Sequence, residues 1–482
     1  MVDSVTICLA TQHRAPAFIP LALLYLKACL VERDSRALDE VRILEFGPDT
    51  AVDEMVREVL ATEPGVVGLS CYVWNIKNLL EAARQVKENR PDVKIVLGGP
   101  EVGPVAVDVL RRHPEVDVIV KSEGEIPLPE VLHAWSARHS LDQVKGICFR
   151  DGDALVETDD APVVNDLDQI PSPHVRRYAD YQGRVICLET QRGCVFRCSF
   201  CFYNKDFSLR NRRFDLDRVK EEILFWLDQD VQELYLMDPV FNLNAERARD
   251  ICRFVARHNH RAVPLHAEIW AEFVDDEMAR LMRAANFQFL EVGLQTTDTT
   301  ALATAERRLK LQRFVDGVAH LKRHKLKFEL QLIYGLPGET RSSFRQSLNF
   351  AMSLDPHELA VFPLMVLPGT ELWRKADALK VAFDPDPPYF AQSHLSMSAD
   401  DFAYGRRVTA ACARLQRSRT ARLLGRERGL TFADLVDEWV AWEDEGAEAF
   451  DGDSMKRFVA HVCERRAIAP QFYHHFAALE FA

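Results

Sequence analysis

Two successive runs of β/α alternation constrain this chain more than any other feature. Short apolar, β-rich stretches at residues 5–9, 41–46, 66–71, 93–97 and 116–120 alternate with periodic helical stretches at 19–31, 53–61, 79–89 and 105–112. Such alternation predicts a parallel sheet covered by helices on both faces. Five strands of this kind suit an α/β, flavodoxin-like doubly wound domain, which takes ligands at the carboxyl ends of its strands. Residues 147–150 and 154–157 flank Asp151-Gly152, a favoured tight-turn pair, and predict a hairpin. Residues 159–177 are acidic, carry Pro162, Pro171 and Pro173, and lack periodicity, as a linker does. The alternation then restarts, with strands at 185–189, 233–237, 264–269, 287–294, 328–333 and 359–365 and helices at 216–227, 245–258, 276–285 and 311–324. Six repeats over about 200 residues suit a partial (β/α)6 barrel whose chemistry lies on its strand-end loops. Residues 384–389 (DPDPPY) break the pattern, and the remainder reads as helical. The expected division is a first domain at 1–158, a linker at 159–183, the barrel at 184–383 and a small, mostly helical C-terminal domain at 384–482.

Composition narrows the function classes. Sixty Lys and Arg stand against 73 Asp and Glu in 482 residues, a formal charge of −13. That balance gives no support to a nucleic-acid-binding chain, which normally shows a basic patch or domain. Hydrophobic residues at 48% and charged residues at 28% argue against wholesale disorder. The most apolar early stretch, 18–26, contains Pro20 and falls far short of the ~20 residues of a spanning helix. It also lacks the features of a signal peptide. The 11 cysteines are mostly scattered, as thiols in a reducing cytoplasm would be.

Three of them are not scattered. Residues 193–203 read GCVFRCSFCFY, so Cys194, Cys198 and Cys201 form CxxxCxxC just beyond the first strand of the second series. Three thiolates on one loop can each bind one iron of a cubane cluster, leaving the fourth iron without a protein ligand. An open iron can take a bidentate small ligand and pass it an electron. The competing readings are zinc and incidental thiols. Structural zinc normally takes four protein ligands, often from a second CxxC or an HxxxH pair. There is no second CxxC, and the HxxxH pair, His320 and His324, falls on a predicted barrel helix, where it reads as two solvated histidines in a basic stretch. Cys187, upstream on the predicted strand, is expected to point away from the loop. His474 and His475 are adjacent and so do not share a helix face.

These residues resemble the radical S-adenosylmethionine (SAM) superfamily, whose signature is this triad at this position of a partial barrel. The resemblance implies a 4Fe–4S cluster on the three cysteines, whose open iron chelates SAM and cleaves it reductively to a 5′-deoxyadenosyl radical. It also implies SAM contacts at Phe200, between the second and third cysteines, beside adenine. Asp238 in LMDPVFN is implied near the methionyl amino group, and Glu268 in HAEIW, with Glu291 and Gln295 in EVGLQ, near the ribose and carboxylate. Ile333 and Gly335 in IYGLPGE match the fifth-strand adenine motif; the acid there, Glu339, is one place later than usual and is not carried over. Competing readings are core packing for Phe200, a helix N-cap for Asp238 and a turn for Gln295. Glu268 and Glu291 sit in apolar strands, where an unpaired buried carboxylate is costly.

The first domain resembles the cobalamin-binding domain fused to one large branch of that superfamily, through LALLYL at 21–26, GLSCYVWN at 68–75, LGGPEV at 97–102 and KSEGE at 121–125. The implied corrin contacts are Ser70, Trp74, Gly98, Gly99, Ser122, Glu123 and Gly124, with the glycines admitting close backbone approach. The DxHxxG motif is absent, which leaves Trp74 as candidate neighbour of the cobalt's lower face; the competing reading is ordinary core. Together the resemblance implies a cobalamin-dependent C-methyltransferase that moves a methyl group from methylcobalamin to an unactivated carbon. Ring closure, oxidation or rearrangement with the same cofactors is the first alternative, and a non-catalytic cobalamin or iron–sulfur sensor the second. The implied partners are a small-molecule or peptide substrate and a flavodoxin- or ferredoxin-type electron donor, with no nucleic acid, no membrane and a cytoplasmic location. No substrate-contacting catalytic residue is assigned.

Overall fold

The structure is a computed structural model that describes residues 6–33, 40–175, 181–204, 211–418, 422–424, 429–445, 454–467 and 469. His474 and His475 lie outside the described residues. The first unit runs β1 (Ile7–Gln12), α1 (Leu21–Arg33), β2 (Val41–Phe46), α2 (Val52–Ala61), β3 (Val66–Ser70), α3 (Ile76–Asn89), β4 (Lys94–Gly98), α4 (Ala106–Arg112), β5 (Val118–Val120), α5 (Pro127–Ala137), β6 (Ile147–Asp151) and β7 (Ala154–Glu157). The sheet order is β2-β1-β3-β4-β5-β6-β7. Strands β1 to β5 are parallel, and the order reverses between β1 and β3, the position of a ligand crevice in doubly wound folds. The expected hairpin joins this same sheet as an antiparallel edge on β5. Apolar clusters fill both faces of the sheet, with helix residues such as Met55, Val56 and Val59 of α2 on one of them.

The second unit comprises β8 (Val185–Leu188), β9 (Gln191–Arg192), β10 (Arg212–Arg213), α6 (Leu216–Leu227), β11 (Glu233–Leu236), α7 (Ala245–His258), β12 (Leu265–Ile269), α8 (Asp276–Ala284), β13 (Phe287–Gln295), α9 (Thr299–Thr304), α10 (Leu311–Arg323), β14 (Phe328–Tyr334), α11 (Arg341–Ser353) and β15 (Glu358–Pro363). Strands β8, β11, β12, β13, β14 and β15 form one parallel sheet in chain order, the partial (β/α)6 barrel. Local sequence sets the helix starts: Asn244, Asp275 and Thr340 each accept a hydrogen bond from a first-turn N–H. Strand residues alternate as a two-residue period demands. Leu234, Leu236, Ala267, Leu290, Val292 and Leu330 are buried in the core, whereas Glu233, Tyr235, His266, Glu268, Glu291 and Gln331 are half-buried on the opposite face. The barrel interior is therefore polar.

Beyond the barrel lie α12 (Glu371–Lys375), the short strands β16 (Ala382–Phe383) and β17 (Ala391–Ser393), α13 (Ala399–Leu415), α14 (Phe432–Asp444) and α15 (Ser454–Arg465). Among the described residues no helix is long and apolar enough to cross a membrane. The open barrel edge at β8 is covered by the first unit. Val185 N donates to Ala17 O at 2.8 Å, Ile19 N donates to Val185 O at 3.2 Å, and Arg184 pairs with Glu45 of β2 at 2.6 Å. An edge strand's unpaired backbone groups invite such cover.

Candidate functional site

The cysteine loop leaves β9 and returns through β10, and these two short strands pair antiparallel at its stem. A buried carboxylate staples the stem to the barrel. Asp238, beyond β11, is 0% exposed. Its oxygens accept from Thr190 N at 2.7 Å, Gln191 N at 3.1 Å and Thr190 Oγ1 at 2.6 Å. Asp238 thus holds residues 190–191, and the N-cap of α7 is Asn244 rather than Asp238. Burial pushes its pKa up to about 7, against those hydrogen bonds.

Cys194 and Cys198 are buried and Cys201 is half-buried. Burial pushes the Cys201 thiol up to about 12, and the neighbouring Cys198 and Cys194 raise it further. Thiols whose pKa burial raises need a cationic group to become thiolates. Arg307 approaches Cys198 Sγ with Nη1 at 3.7 Å, while its Nη2 donates to Gly293 O at 2.5 Å and its guanidinium lies 4.3 Å from the Trp270 ring centroid. Among the described residues no three His, Cys, Asp or Glu side chains converge to hold a single metal ion, as a zinc site requires. A three-sulfur donor set on one loop fits a cubane, where each sulfur serves a different iron. Cys187 is buried in β8, in the barrel's core cluster. His320 and His324 sit beside Asp276 on the helical exterior, at 3.6 and 3.0 Å.

Inside the barrel, Glu268 and Glu291 are register neighbours. Burial, then repulsion from Glu291, pushes Glu268 up to about 8, so this carboxyl is largely protonated at neutral pH; a hydrogen bond with the Tyr235 phenol works the other way. Glu291 is engaged differently: His266 Nε2 stands 2.9 Å from Oε1 and Gln331 donates to Oε2 at 2.9 Å. Those partners outweigh burial and hold Glu291 below the usual carboxylate range. His266 bridges Glu291 and Glu233; burial opposes its charge, but these two carboxylates lift it to about 9. Phe200 and Ile333 are partly buried against the barrel core. Gln295 adopts φ +69° at a register shift of β13, a turn geometry. Gly335, at φ +90°, makes room for Phe402 of α13: a Cβ there would lie 2.5 Å from that ring. Glu339, buried, folds the loop on itself by accepting from Gly335 N at 3.0 Å and Thr296 Oγ1 at 2.8 Å.

At the strand ends of the first unit, Trp74 is 49% exposed, which removes the core reading. Its indole N–H donates to Gln12 O at 3.1 Å and its ring stacks on Tyr72, with centroids 4.5 Å apart. Asn75 fixes this loop by donating to Gln12 O and Ser70 O and accepting from Tyr72 N. Tyr203 of the cysteine loop is 38% exposed, and burial of its phenol raises its pKa. Of the three glycines, Gly99 is required by internal packing, because a Cβ would lie 2.4 Å from Cys71 O; at Gly124 it would press on Leu26 Cδ2 at 3.0 Å, and Gly98 is open. Ser122 and Glu123 line a cavity of about 400 Å³ with Gly103, Pro104 and Lys121.

Glu123 also reaches the stem of the cysteine loop. Its carboxylate is gripped by Arg212, through Nη2 at 2.6 Å and Nη1 at 3.0 Å. Arg192 pairs with Glu125 at 2.7 Å and Glu189 at 2.8 Å, and lies 4.8 Å from the Tyr25 ring centroid. The SEGE segment thus clamps the first unit to β9 and β10, the stem of the cysteine loop. Sequence reasoning missed Arg192, Arg212, Arg307 and Asn75. Nothing local marks them, since their partners are distant in the chain or on the backbone.

Residues 188–351 match the family model described as Radical SAM superfamily, and residues 8–132 match that described as B12 binding domain. The chain belongs to the radical SAM superfamily, in the branch that carries a B12-binding domain ahead of the barrel. It is 30% identical over 341 residues to the 2-(S-pantetheinyl)-carbapenam-3-carboxylate methyltransferase of Streptantibioticus cattleyicolor, covering 67% of this chain and 49% of that protein. This chain thus spans about half the length of that relative. Its fold is similar to TsrM, a radical S-adenosylmethionine methyltransferase from Kitasatospora setae solved with cobalamin and a 4Fe–4S cluster, with TM-score 0.66, 17% identity and coverage of 83% and 81% of the two chains. It is similar also to OxsB, a cobalamin-dependent S-adenosylmethionine radical enzyme solved with aqua-cobalamin and S-adenosylmethionine, with TM-score 0.70, 13% identity and coverage of 97% and 76%. At these identities the two structures speak to fold alone.

Proposed function

We propose that the protein is a cobalamin-dependent radical SAM methyltransferase acting on an unactivated carbon of a small molecule. The observation that supports this reading is the joining of the first unit to the stem of the cysteine loop, where Glu123 and Glu125 pair with Arg212 and Arg192. When bound, the cofactors supply reductive SAM cleavage, which yields a carbon radical, and a cobalt-borne methyl group. The protein's part is placement. Cys194, Cys198 and Cys201 hold the cluster, and Arg307 lies where it can meet a carboxylate beside Cys198. Protonated Glu268 and the Tyr235 phenol offer hydrogen bonds from the barrel interior to polar groups above them. Trp74, its ring fixed by the Gln12 carbonyl and Tyr72, presents an apolar face at the strand ends where a corrin would rest. Holding the reacting groups in line and away from water is worth several kcal/mol of barrier, up to about 7–11 in well-oriented systems. A protein-borne one-electron donor and a cytoplasmic location complete the reading.

The test is anaerobic incubation with SAM, a reductant and candidate substrates, scoring 5′-deoxyadenosine and the product mass together. A gain of one methyl group is expected alongside 5′-deoxyadenosine. Substrate conversion without methyl gain would replace the reading with cyclisation or rearrangement, and cofactor binding without 5′-deoxyadenosine would replace it with a sensor.

A further inference from the structure

The cysteine loop also presents an exposed face. Its residues alternate: Cys194 and Cys198 are buried, while Val195 (44% exposed) and Arg197 point outward. Phe196 stacks on Trp270, with centroids 4.0 Å apart, and faces Phe273 at 6.4 Å. Phe273 is itself exposed, and Lys310 N donates to the adjacent Glu272 carboxylate at 3.1 Å, so the start of α10 meets the same surface. That start adds exposed Leu311, and Arg308 stands next to Arg307, which touches Cys198. This rim thus carries exposed Val195, Phe273 and Leu311 together with exposed Arg197, Arg308 and Lys310. These cations have no carboxylate partner among the described residues, and the acids beside them are engaged: Glu272 accepts from the Trp270 indole and the Lys310 amide, and Glu306 pairs with Lys375.

We propose that this rim of the cysteine loop is the docking face for an acidic one-electron carrier protein. The inference rests on the cluster reading above and adds where the partner binds. Three features favour such a carrier. The patch is cationic on a chain of net charge −13, so it attracts acid locally while the rest of the surface repels it. Exposed apolar side chains ringed by charge are the make-up of a transient protein interface. The buried cysteines lie one residue beneath the exposed ones, so a docked donor comes close to the cluster. One electron leaves the carrier, which is oxidised by one equivalent, and enters the cluster, which is reduced by one; no bond is made or broken at the interface.

The test uses cluster-loaded protein, an acidic flavodoxin and dithionite. Because all three cations are exposed, the triple variant Arg197→Glu, Arg308→Glu, Lys310→Glu should fold normally. Calorimetric affinity for flavodoxin should fall at least about tenfold in the variant. In the wild type it should weaken between about 0.01 and 0.1 M ionic strength, as the Debye length shrinks from about 30 to about 10 Å. Flavodoxin-driven SAM cleavage should slow in parallel, while dithionite-driven cleavage stays at the wild-type rate. Unchanged affinity, or equal loss with both reductants, overturns the docking face. Failure of the wild-type protein to take up iron and sulfide on anaerobic reconstitution overturns the cluster reading, and the docking face with it.

Discussion

Replacing Glu123 by Ala tests whether the first unit and the cysteine-loop stem are held together by charge. Arg212 loses both of its 2.6 and 3.0 Å contacts, and its side chain is only 3% exposed. Removing one partner of a buried ion pair costs about 3–5 kcal/mol, because the other charge stays buried and uncompensated. Two details place this case at the lower end. Arg212 keeps its bond to Val164 O at 2.7 Å, and Arg192 keeps Glu125 and Glu189, losing only a 3.4 Å contact. The expected cost of separating the units is therefore about 3 kcal/mol. Glu123→Gln, which still offers one acceptor, should cost about 1.5–2 kcal/mol. Proteolysis of the segment before β8 reads the open population when opening is fast, so Glu123→Ala should speed that cleavage about a hundredfold. The control is Glu157→Ala: Glu157 pairs with Lys121 but is 54% exposed, and an exposed pair is worth about 1 kcal/mol or less. Cleavage unchanged in Glu123→Ala, or accelerated equally by Glu157→Ala, would refute the clamp.

Three further outcomes are expected. Changing Cys194, Cys198 and Cys201 together to Ala should abolish iron and sulfide in anaerobically reconstituted protein, whereas Cys187→Ala, Cys252→Ala and Cys412→Ala should retain them. Trp74→Ala should leave thermal stability nearly unchanged, because the ring is half-exposed, and still yield 5′-deoxyadenosine, yet transfer methyl about 10–100-fold less well; a parallel loss of both products would remove Trp74 from the corrin side. Glu101, in the GGPEV segment, accepts a hydrogen bond from Tyr389, and burial lifts its carboxyl to about 7. Its folded pKa exceeds the unfolded value, so its contribution is complete below about pH 4 and is lost as the pH rises through about 7, a change of about 3 kcal/mol. Glu101→Gln should flatten the pH dependence of the denaturation midpoint over that range by a matching amount; an unaltered profile would dismiss the assignment.

Much of the fold was legible because it is written locally. The 41–46 strand and the 216–227 and 245–258 helices begin and end where apolar periodicity meets a cap or a turn, and the structure places them at the same residues. The cysteine spacing is local too. What sequence could not give is what depends on distant partners. Glu123 reads as part of a glycine-bearing loop, and its role is set by Arg212, 89 residues on. Asp238 sits in a motif suggestive of ligand contact, and nothing local shows that it holds Thr190 and Gln191, 48 and 47 residues earlier. The two-residue pair β9 and β10 is too short to carry any period. Trp74 looks like core by its type, and only the folded loop built by Asn75 shows that it stands in the open.

The Asp238 staple bears on how iron enters. In a zinc finger the metal folds the chain, so binding and folding free energies are one quantity. Here the stem of the cysteine loop is held by hydrogen bonds that involve no cysteine: residues 190–191 donate to Asp238, and Ser199 N donates to Ala305 O at 2.9 Å. The barrel, not the metal, therefore supplies the bonds that shape this loop. Cluster loss in air should empty the loop without unfolding it, so the same molecules can be stripped and refilled through repeated cycles, and an iron–sulfur carrier delivering a cluster meets a finished receptacle.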